Sequence, residues 1–103
     1  MNFVGSEFER ENNHKLSKVL HNFMYLVGNF HYIIKYGMLE DYPIISVKTD
    51  LKYIYEADIG ALVIMLHKDN FDLLRFTSNK KGIILQILPN YPDFNMEWYD
   101  EQW

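Results

Sequence analysis

Four histidines are the residues of this sequence whose type is best suited to metal binding or acid–base catalysis: His14, His21, His31 and His67. None of them forms an HxxxH or HExxH pair, so the sequence does not predict a zinc site. His31 lies at the margin of an apolar helical pattern, where we expect a hydrogen-bonded core histidine rather than a ligand. The chain has no cysteine, which excludes disulfides, thiolate metal sites and cysteine nucleophiles.

Acidic pairs occur at three places, but they lack the glycine and the spacing of a calcium loop. We interpret them as turn and surface residues: Glu40 with Asp41, Glu56 with Asp58, and Asp69 with Asp72. No GxSxG, GxGxxG or GxxxxGK[ST] motif occurs among the five glycines. The sequence therefore predicts no catalytic residues, no metal and no cofactor. A small nuclease that uses His67, Lys68, tyrosines and Arg75 is the weakest alternative.

The last fourteen residues, 90–103, combine acidic and aromatic side chains. They hold four of the chain's fourteen acids and none of its ten bases, and therefore carry the whole net charge of −4. If they wind as a helix from Pro92, the acids lie on one side and most aromatics on the other. We call this segment the acidic tail, and its candidate binding residues are Asp93, Phe94, Glu97, Trp98, Tyr99, Asp100, Glu101 and Trp103.

Three interpretations of the acidic tail remain open. Its aromatic residues either complete the core of their own domain or insert as anchors into a groove of another protein. The third interpretation is mimicry, in which carboxylates beside aromatic rings imitate the phosphates and bases of a nucleic acid. Four carboxylates are few for that purpose.

A second candidate surface lies on the helix that the apolar pattern predicts over about residues 13–36. We call it the helix stripe, and it lies on the side opposite the apolar positions. It carries histidine, lysine and tyrosine at positions where most surface helices have Glu and Lys: His14, Lys18, His21, Tyr25, Tyr32 and Tyr36. Three interpretations of the helix stripe are possible. Its tyrosines are ordinary surface residues, or the stripe is an interface for a partner or a second copy. The third possibility is that the acidic tail docks on it. Lys15, Lys18 and Lys35 lie on or beside the stripe, which without Arg is a weak nucleic-acid site.

The elements that position these residues follow from the apolar pattern. Steps of three and four residues predict a helix over about 13–36, with a start as early as 7 and Gly37 at its end. After Pro43, β-branched and aromatic runs predict strands at 44–48, 51–57, 61–67, 71–77 and 83–88. One helix over 51–66 is the alternative for the second and third strands, and Gly60 weighs against it.

These elements predict the α+β class. One long N-terminal amphipathic helix packs on an antiparallel sheet of four to five strands in a single domain over residues 1–89, and the acidic tail follows it. With 103 residues, of which 49% are hydrophobic, the chain is large enough for one core. The longest apolar run, 61–66, is far shorter than the ~18 residues of a membrane span. No signal-peptide pattern opens the chain, so a cytoplasmic protein is expected.

The function we expect is that of a non-enzymatic interaction module, which binds and inhibits or modulates a macromolecular partner such as a bacterial or phage enzyme. Amino acids that AT-rich codons encode, such as Asn, Ile, Lys, Tyr and Phe, are abundant. This composition is compatible with a phage or mobile-element origin. The alternative is an accessory module that binds single-stranded nucleic acid through the helix stripe. Nucleic-acid binding is disfavoured because the chain has only two arginines and residues 1–89 carry no net charge. A homodimer formed through the helix stripe or a swapped tail is a further alternative.

Overall fold

The chain forms two α-helices and one four-stranded antiparallel sheet. The computed structural model describes residues 6–89, with side chains for residues 9–38 and 40–89. The elements are α1 (Ser6–Val27), β1 (Tyr32–Leu39), β2 (Tyr42–Thr49), α2 (Glu56–Lys68), β3 (Phe71–Ser78) and β4 (Ile83–Pro89). The strand order is β1-β2-β4-β3, and all neighbouring strands are antiparallel. This architecture confirms the predicted α+β class.

α1 starts at Ser6 and ends at Val27, so the helix predicted over 13–36 is wrong beyond residue 27. Gly28 adopts a φ of 90°, and its N–H donates to the carbonyl oxygen of Met24 at 2.9 Å. A left-handed glycine of this kind closes a helix. Gly37, which was predicted to end the helix, instead lies within β1, opposite Ile44 of β2.

The two strands predicted at 51–57 and 61–67 are also wrong, because residues 50–55 are irregular and α2 follows them. The first turn of α2 forms when the N–H groups of Asp58 and Ile59 donate to the carbonyl oxygen of Tyr55, each at 3.0 Å. Leu62 and Leu66, four residues apart, are fully buried. Acidic residues in the first turn and basic ones in the last complement the helix dipole. Core packing therefore overrides the strand propensity of the β-branched residues.

Both helices contribute to one core on one side of the sheet. Its buried side chains include Leu16, Leu20 and Phe23 of α1, Leu62 and Leu66 of α2, and Ile45, Val47, Leu85 and Ile87 of β2 and β4. Because successive side chains of a strand point to opposite faces, the residues between these positions face away from the helices. The strands predicted at 44–48, 71–77 and 83–88 are confirmed within β2, β3 and β4.

Candidate functional site

The sheet face that points away from the helices carries cationic and aliphatic side chains in rows. The strand register places one row across all four strands, which consists of Ile33, Lys48, Ile84 and Thr77. The next row consists of Lys35, Ser46, Gln86 and Arg75. The three cations of these rows are exposed. Ile33, on the edge strand β1 beside Lys35 and opposite Lys48, is 61% exposed.

A groove of about 720 Å³ lies at the end of this face where β3 turns into β4. It contains two lysines of the rows together with Lys80 and Lys81 of the β3–β4 connection. We call the five cations and the two isoleucines of the rows and the groove the basic face: Lys35, Lys48, Arg75, Lys80, Lys81, Ile33 and Ile84.

The β3–β4 connection holds its two lysines on a fixed backbone. The side-chain oxygen Oδ1 of Asn79 accepts hydrogen bonds from the N–H groups of Lys81, at 2.8 Å, and Gly82, at 3.1 Å. From the neighbouring irregular segment, Nζ of Lys52 donates to the carbonyl oxygens of Lys80 and Lys81, each at 3.2 Å. These bonds arrange the turn before any ligand arrives.

The cations of the basic face have no carboxylate within ion-pair distance in the described part of the chain, and Asp50, which also lines the groove, is bonded to His31. The ammonium group of Lys35 lowers the pKa of Lys48, and Lys81 adds a smaller contribution. Arg75 donates from Nε to the amide oxygen of Gln86 rather than to a carboxylate. Within residues 9–38 and 40–89, none of the five cations forms an ion pair. Such a cluster attracts anionic groups.

His31 and Asp50 form a hydrogen-bonded pair that lines the groove. Nδ1 of His31 lies 3.0 Å from Oδ2 of Asp50, and the backbone N–H of His31 donates to Oδ1 at 2.9 Å. In return, the N–H of Asp50 donates to the carbonyl oxygen of His31 at 3.2 Å. The pair connects the residue before β1 to the residue after β2. The expectation of a core histidine at this position is wrong, because the His31 side chain is 98% exposed.

We predict a pH dependence of stability from this pair. Hydrogen bonds from the ring and the backbone of His31 lower the pKa of Asp50 below its ordinary 3.8. A carboxyl group whose pKa is lower in the folded state stabilises the fold above its unfolded pKa, and this contribution disappears as the pH falls through the folded pKa. We therefore expect urea midpoints of the wild type to fall more steeply below pH 3.8 than those of Asp50→Asn.

His31→Ala provides the matched control for this titration, because it removes the ring that lowers the Asp50 pKa while it keeps the carboxyl group. We expect its urea midpoint to depend on acid pH less steeply than that of the wild type. Parallel curves for the three proteins between neutral pH and acid would contradict the assignment.

The predicted helix stripe is divided between two elements. Its first four residues lie on α1 and are exposed, Tyr25 at 89%. Its last two residues lie on β1, where their side chains turn toward α1 and are half-buried. The members of the two groups are His14, Lys18, His21 and Tyr25 on α1, and Tyr32 and Tyr36 on β1.

The two β1 tyrosines join the sheet to α1, so their prediction as exposed helix residues is wrong. The hydroxyl of Tyr32 donates to Oγ of Ser17 at 3.0 Å. The hydroxyl of Tyr36 lies 2.6 Å from Oδ1 of Asn13, to which it donates. Lys35 lies between them on β1 and faces the other side of the sheet, so it belongs to the basic face.

Exposed aromatic rings gather at a different place, beside the irregular segment 50–55. Tyr53 and Tyr55 are 68% and 67% exposed, and their ring centroids are 5.4 Å apart in an edge-to-face arrangement. They line a second groove of about 410 Å³ together with Leu26 of α1 and the acidic residues Asp50 and Asp58. Lys52 is the one cation among the residues that line this second groove.

The predicted binding residues of the acidic tail lie outside the described residues: Asp93, Phe94, Glu97, Trp98, Tyr99, Asp100, Glu101 and Trp103.

Residues 6–89 hold neither a metal cluster nor a helix that could span a membrane. In that part of the chain, no group of three or more His, Cys, Asp or Glu residues is arranged to hold a metal ion. Neither of its helices has the length and apolar character that crossing a membrane requires.

Comparisons of the chain with protein-family models, with curated proteins and with solved structures found no match.

Proposed function

We propose that this chain is a non-enzymatic interaction module that uses the basic face to bind, and thereby to inhibit or modulate, a protein partner with an acidic and partly apolar surface. The observation that carries the proposal is the set of five cations on the basic face, none of which has a carboxylate partner in the described residues, with exposed Ile33 beside Lys35 and Lys48. A cytoplasmic bacterial or phage enzyme is the class of partner that we propose.

The aliphatic character of the basic face favours a protein over a single-stranded nucleic acid. Proteins that bind single strands stack the bases on aromatic side chains. The exposed rings of Tyr53 and Tyr55 instead line a groove that holds two carboxylates, Asp50 and Asp58, and one lysine, whose Nζ bonds to the carbonyl oxygens of Lys80 and Lys81. The carboxylates outnumber the ammonium group there and disfavour phosphates. The basic face also has four lysines to one arginine, and that arginine is bonded to Gln86. These features support an acidic protein surface as the ligand.

Charge and apolar contact have different roles in the proposed complex. Carboxylates that approach Lys35 and Lys48 relieve the repulsion between these two ammonium groups. Exposed charges of this kind mainly accelerate association and select the partner. Burial of the exposed part of Ile33 adds roughly 1–2 kcal/mol of binding free energy. We therefore expect binding to weaken with salt without vanishing.

Capture from a bacterial lysate tests the proposal with three full-length proteins: the wild type, the double variant Lys35→Glu/Lys48→Glu, and the control Lys18→Glu. Lys18 is an exposed lysine of α1, so its reversal changes the net charge without touching the basic face. We expect a protein that the wild type and the control retain and that the double variant loses. Capture of the same proteins by all three would contradict the proposal.

A titration with a labelled single-stranded oligonucleotide separates the two classes of ligand. We expect no binding of the oligonucleotide at physiological salt. Salt-sensitive binding by the wild type that the double variant loses would replace the protein partner with a nucleic acid on the same face.

A further inference from the structure

We infer that the basic face is the docking surface of the chain's own acidic tail, so that the tail competes with any partner for this face. The inference deepens the proposed function, because it names what occupies the binding face when the partner is absent. It also replaces the dock that the sequence alone indicates, which is the helix stripe of α1.

Charge complementarity is the first argument for this occupant. The tail has four carboxylates and no base, while residues 1–89 are neutral as a whole. Within that neutral body, five cations of the basic face have no ion pair in the described residues. The opposite excesses of charge therefore lie in one segment and on one face of the same chain.

The helix stripe is a poorer dock than the basic face. Lys15 beside it has a carboxylate within reach, with Nζ 3.9 Å from Oε1 of Glu11. The hydroxyls of Tyr32 and Tyr36 already bond to side chains of α1. Lys18 therefore remains the main cation that the stripe offers to an acidic segment.

The position of β4 gives the tail access to the basic face. The tail continues from Pro89, at the end of β4, and Leu88 and Ile84 lie on the outer side of the same strand. Leu88 and Ile84 are four positions apart along the strand, which is about 14 Å at ~3.4 Å per residue. Fourteen residues span about 21 Å even if they are entirely helical, at ~1.5 Å per residue. The tail is therefore long enough to return over Ile84 to the lysines.

The apolar part of the face matches the aromatic part of the tail. Ile33, Ile84 and Leu88 provide aliphatic side chains on the same outer surface as the lysines. The tail supplies Trp98 and Trp103, whose large apolar rings gain most from such contact. A docked tail reduces the apparent affinity for a partner by the fraction of molecules in which the face is free.

Tryptophan fluorescence tests docking in the full chain, because both tryptophans of the protein lie in the tail. We expect the wild-type emission to be shielded from a neutral quencher such as acrylamide. In Lys35→Glu/Lys48→Glu, quenching should rise and the emission should shift to the red. Each lost ion pair should lower the ratio of docked to free tail by up to about fivefold.

A tail variant and a helix variant complete the design. Asp93→Asn/Glu97→Gln/Asp100→Asn/Glu101→Gln removes the charge from the tail and should raise quenching as the double face variant does. Lys18→Glu should leave quenching as in the wild type. A rise in Lys18→Glu alone would place the dock on the helix stripe and overturn the inference. Equal quenching in all four proteins would overturn it as well.

Dilution and capture separate the remaining outcomes. We expect the wild-type quenching constant to be independent of protein concentration, whereas quenching that rises on dilution would identify a second copy as the occupant and overturn the inference. If Lys35→Glu/Lys48→Glu leaves acrylamide quenching unchanged but abolishes partner capture, the tail inference fails and the proposed function stands. If Lys35→Glu/Lys48→Glu raises quenching but the wild type captures no partner, docking of the tail stands and the proposed function fails.

Discussion

Phe23→Ala is expected to lower the free energy of unfolding by about 3–5 kcal/mol, the range for a large aromatic residue truncated in a core. Phe23 has no exposed surface, and its ring meets that of Phe30 edge-to-face at a centroid distance of 6.3 Å. Phe30 in turn lies 6.2 Å from the ring of Tyr32 on β1. The truncation thus leaves a cavity where α1 meets the chain that enters the sheet. Urea denaturation followed by circular dichroism measures the loss.

Tyr25→Ala is the matched control for Phe23→Ala. It removes an aromatic side chain two residues further along α1, where the ring is 89% exposed. We expect a change within about 0.5 kcal/mol, as for surface substitutions in general. Comparable losses in the two variants would contradict the orientation of α1. They would show that Tyr25 packs against the protein rather than facing solvent.

The end of α1 shows why the sequence predicts too long a helix. Phe30 and Ile34 continue the apolar pattern at a spacing of four residues, but positions of even spacing also share one face of a strand. Both periods therefore fit the segment, and only pairing with β2 decides between them. Gly28 is the sequence signal for the observed end of α1, since a glycine after the last apolar residue of a helix commonly closes it. The same ambiguity explains the strands wrongly predicted in place of α2.

The basic face could not be predicted, because it depends on strand register. Its cations come from residues 35, 48, 75, 80 and 81, and they meet only when β1, β2, β4 and β3 align. A shift of one residue in a strand would turn its lysine toward the core. His31 and Asp50 are nineteen residues apart and meet for the same reason. By contrast, the short turns and β-branched runs of β2, β3 and β4 were sufficient to predict these strands.

The repulsion between the lysines of the basic face is relevant to whether this face binds a ligand. Lys35 and Lys48 lie on adjacent rows of the same sheet face, and repulsion from Lys35 lowers the pKa of Lys48. Neutral polar residues at these positions would fold without this repulsion. Local arrangements that oppose stability are typical of functional sites. The unfavourable cluster therefore supports a binding role for this face over a purely solvating one.

Gly82→Ala is expected to destabilise the protein by about 1–3 kcal/mol, since it forces an L side chain into a strained backbone conformation. Gly82 has a φ of 151°, and an added Cβ would collide with the carbonyl oxygen of Thr49 and lie 2.8 Å from Cα of Asp50. The residue after it is tied to β2, because the Thr49 hydroxyl donates to the carbonyl oxygen of Ile83 at 2.8 Å. Both chain segments are thus held in place, and neither can move away at low cost.

Gly60→Ala, in the middle of α2, is the matched control for Gly82→Ala. An added Cβ there meets no atom within 4 Å, so the helix should gain about 0.5–1 kcal/mol. Urea midpoints that move in opposite directions for the two variants would support the geometry of the turn, and a stabilised Gly82→Ala would refute it.

Because Gly82 fixes the backbone that carries Lys80 and Lys81, its substitution should also weaken capture through the basic face. Gly60→Ala should leave that capture unchanged, so a binding loss specific to Gly82→Ala would link the turn to function.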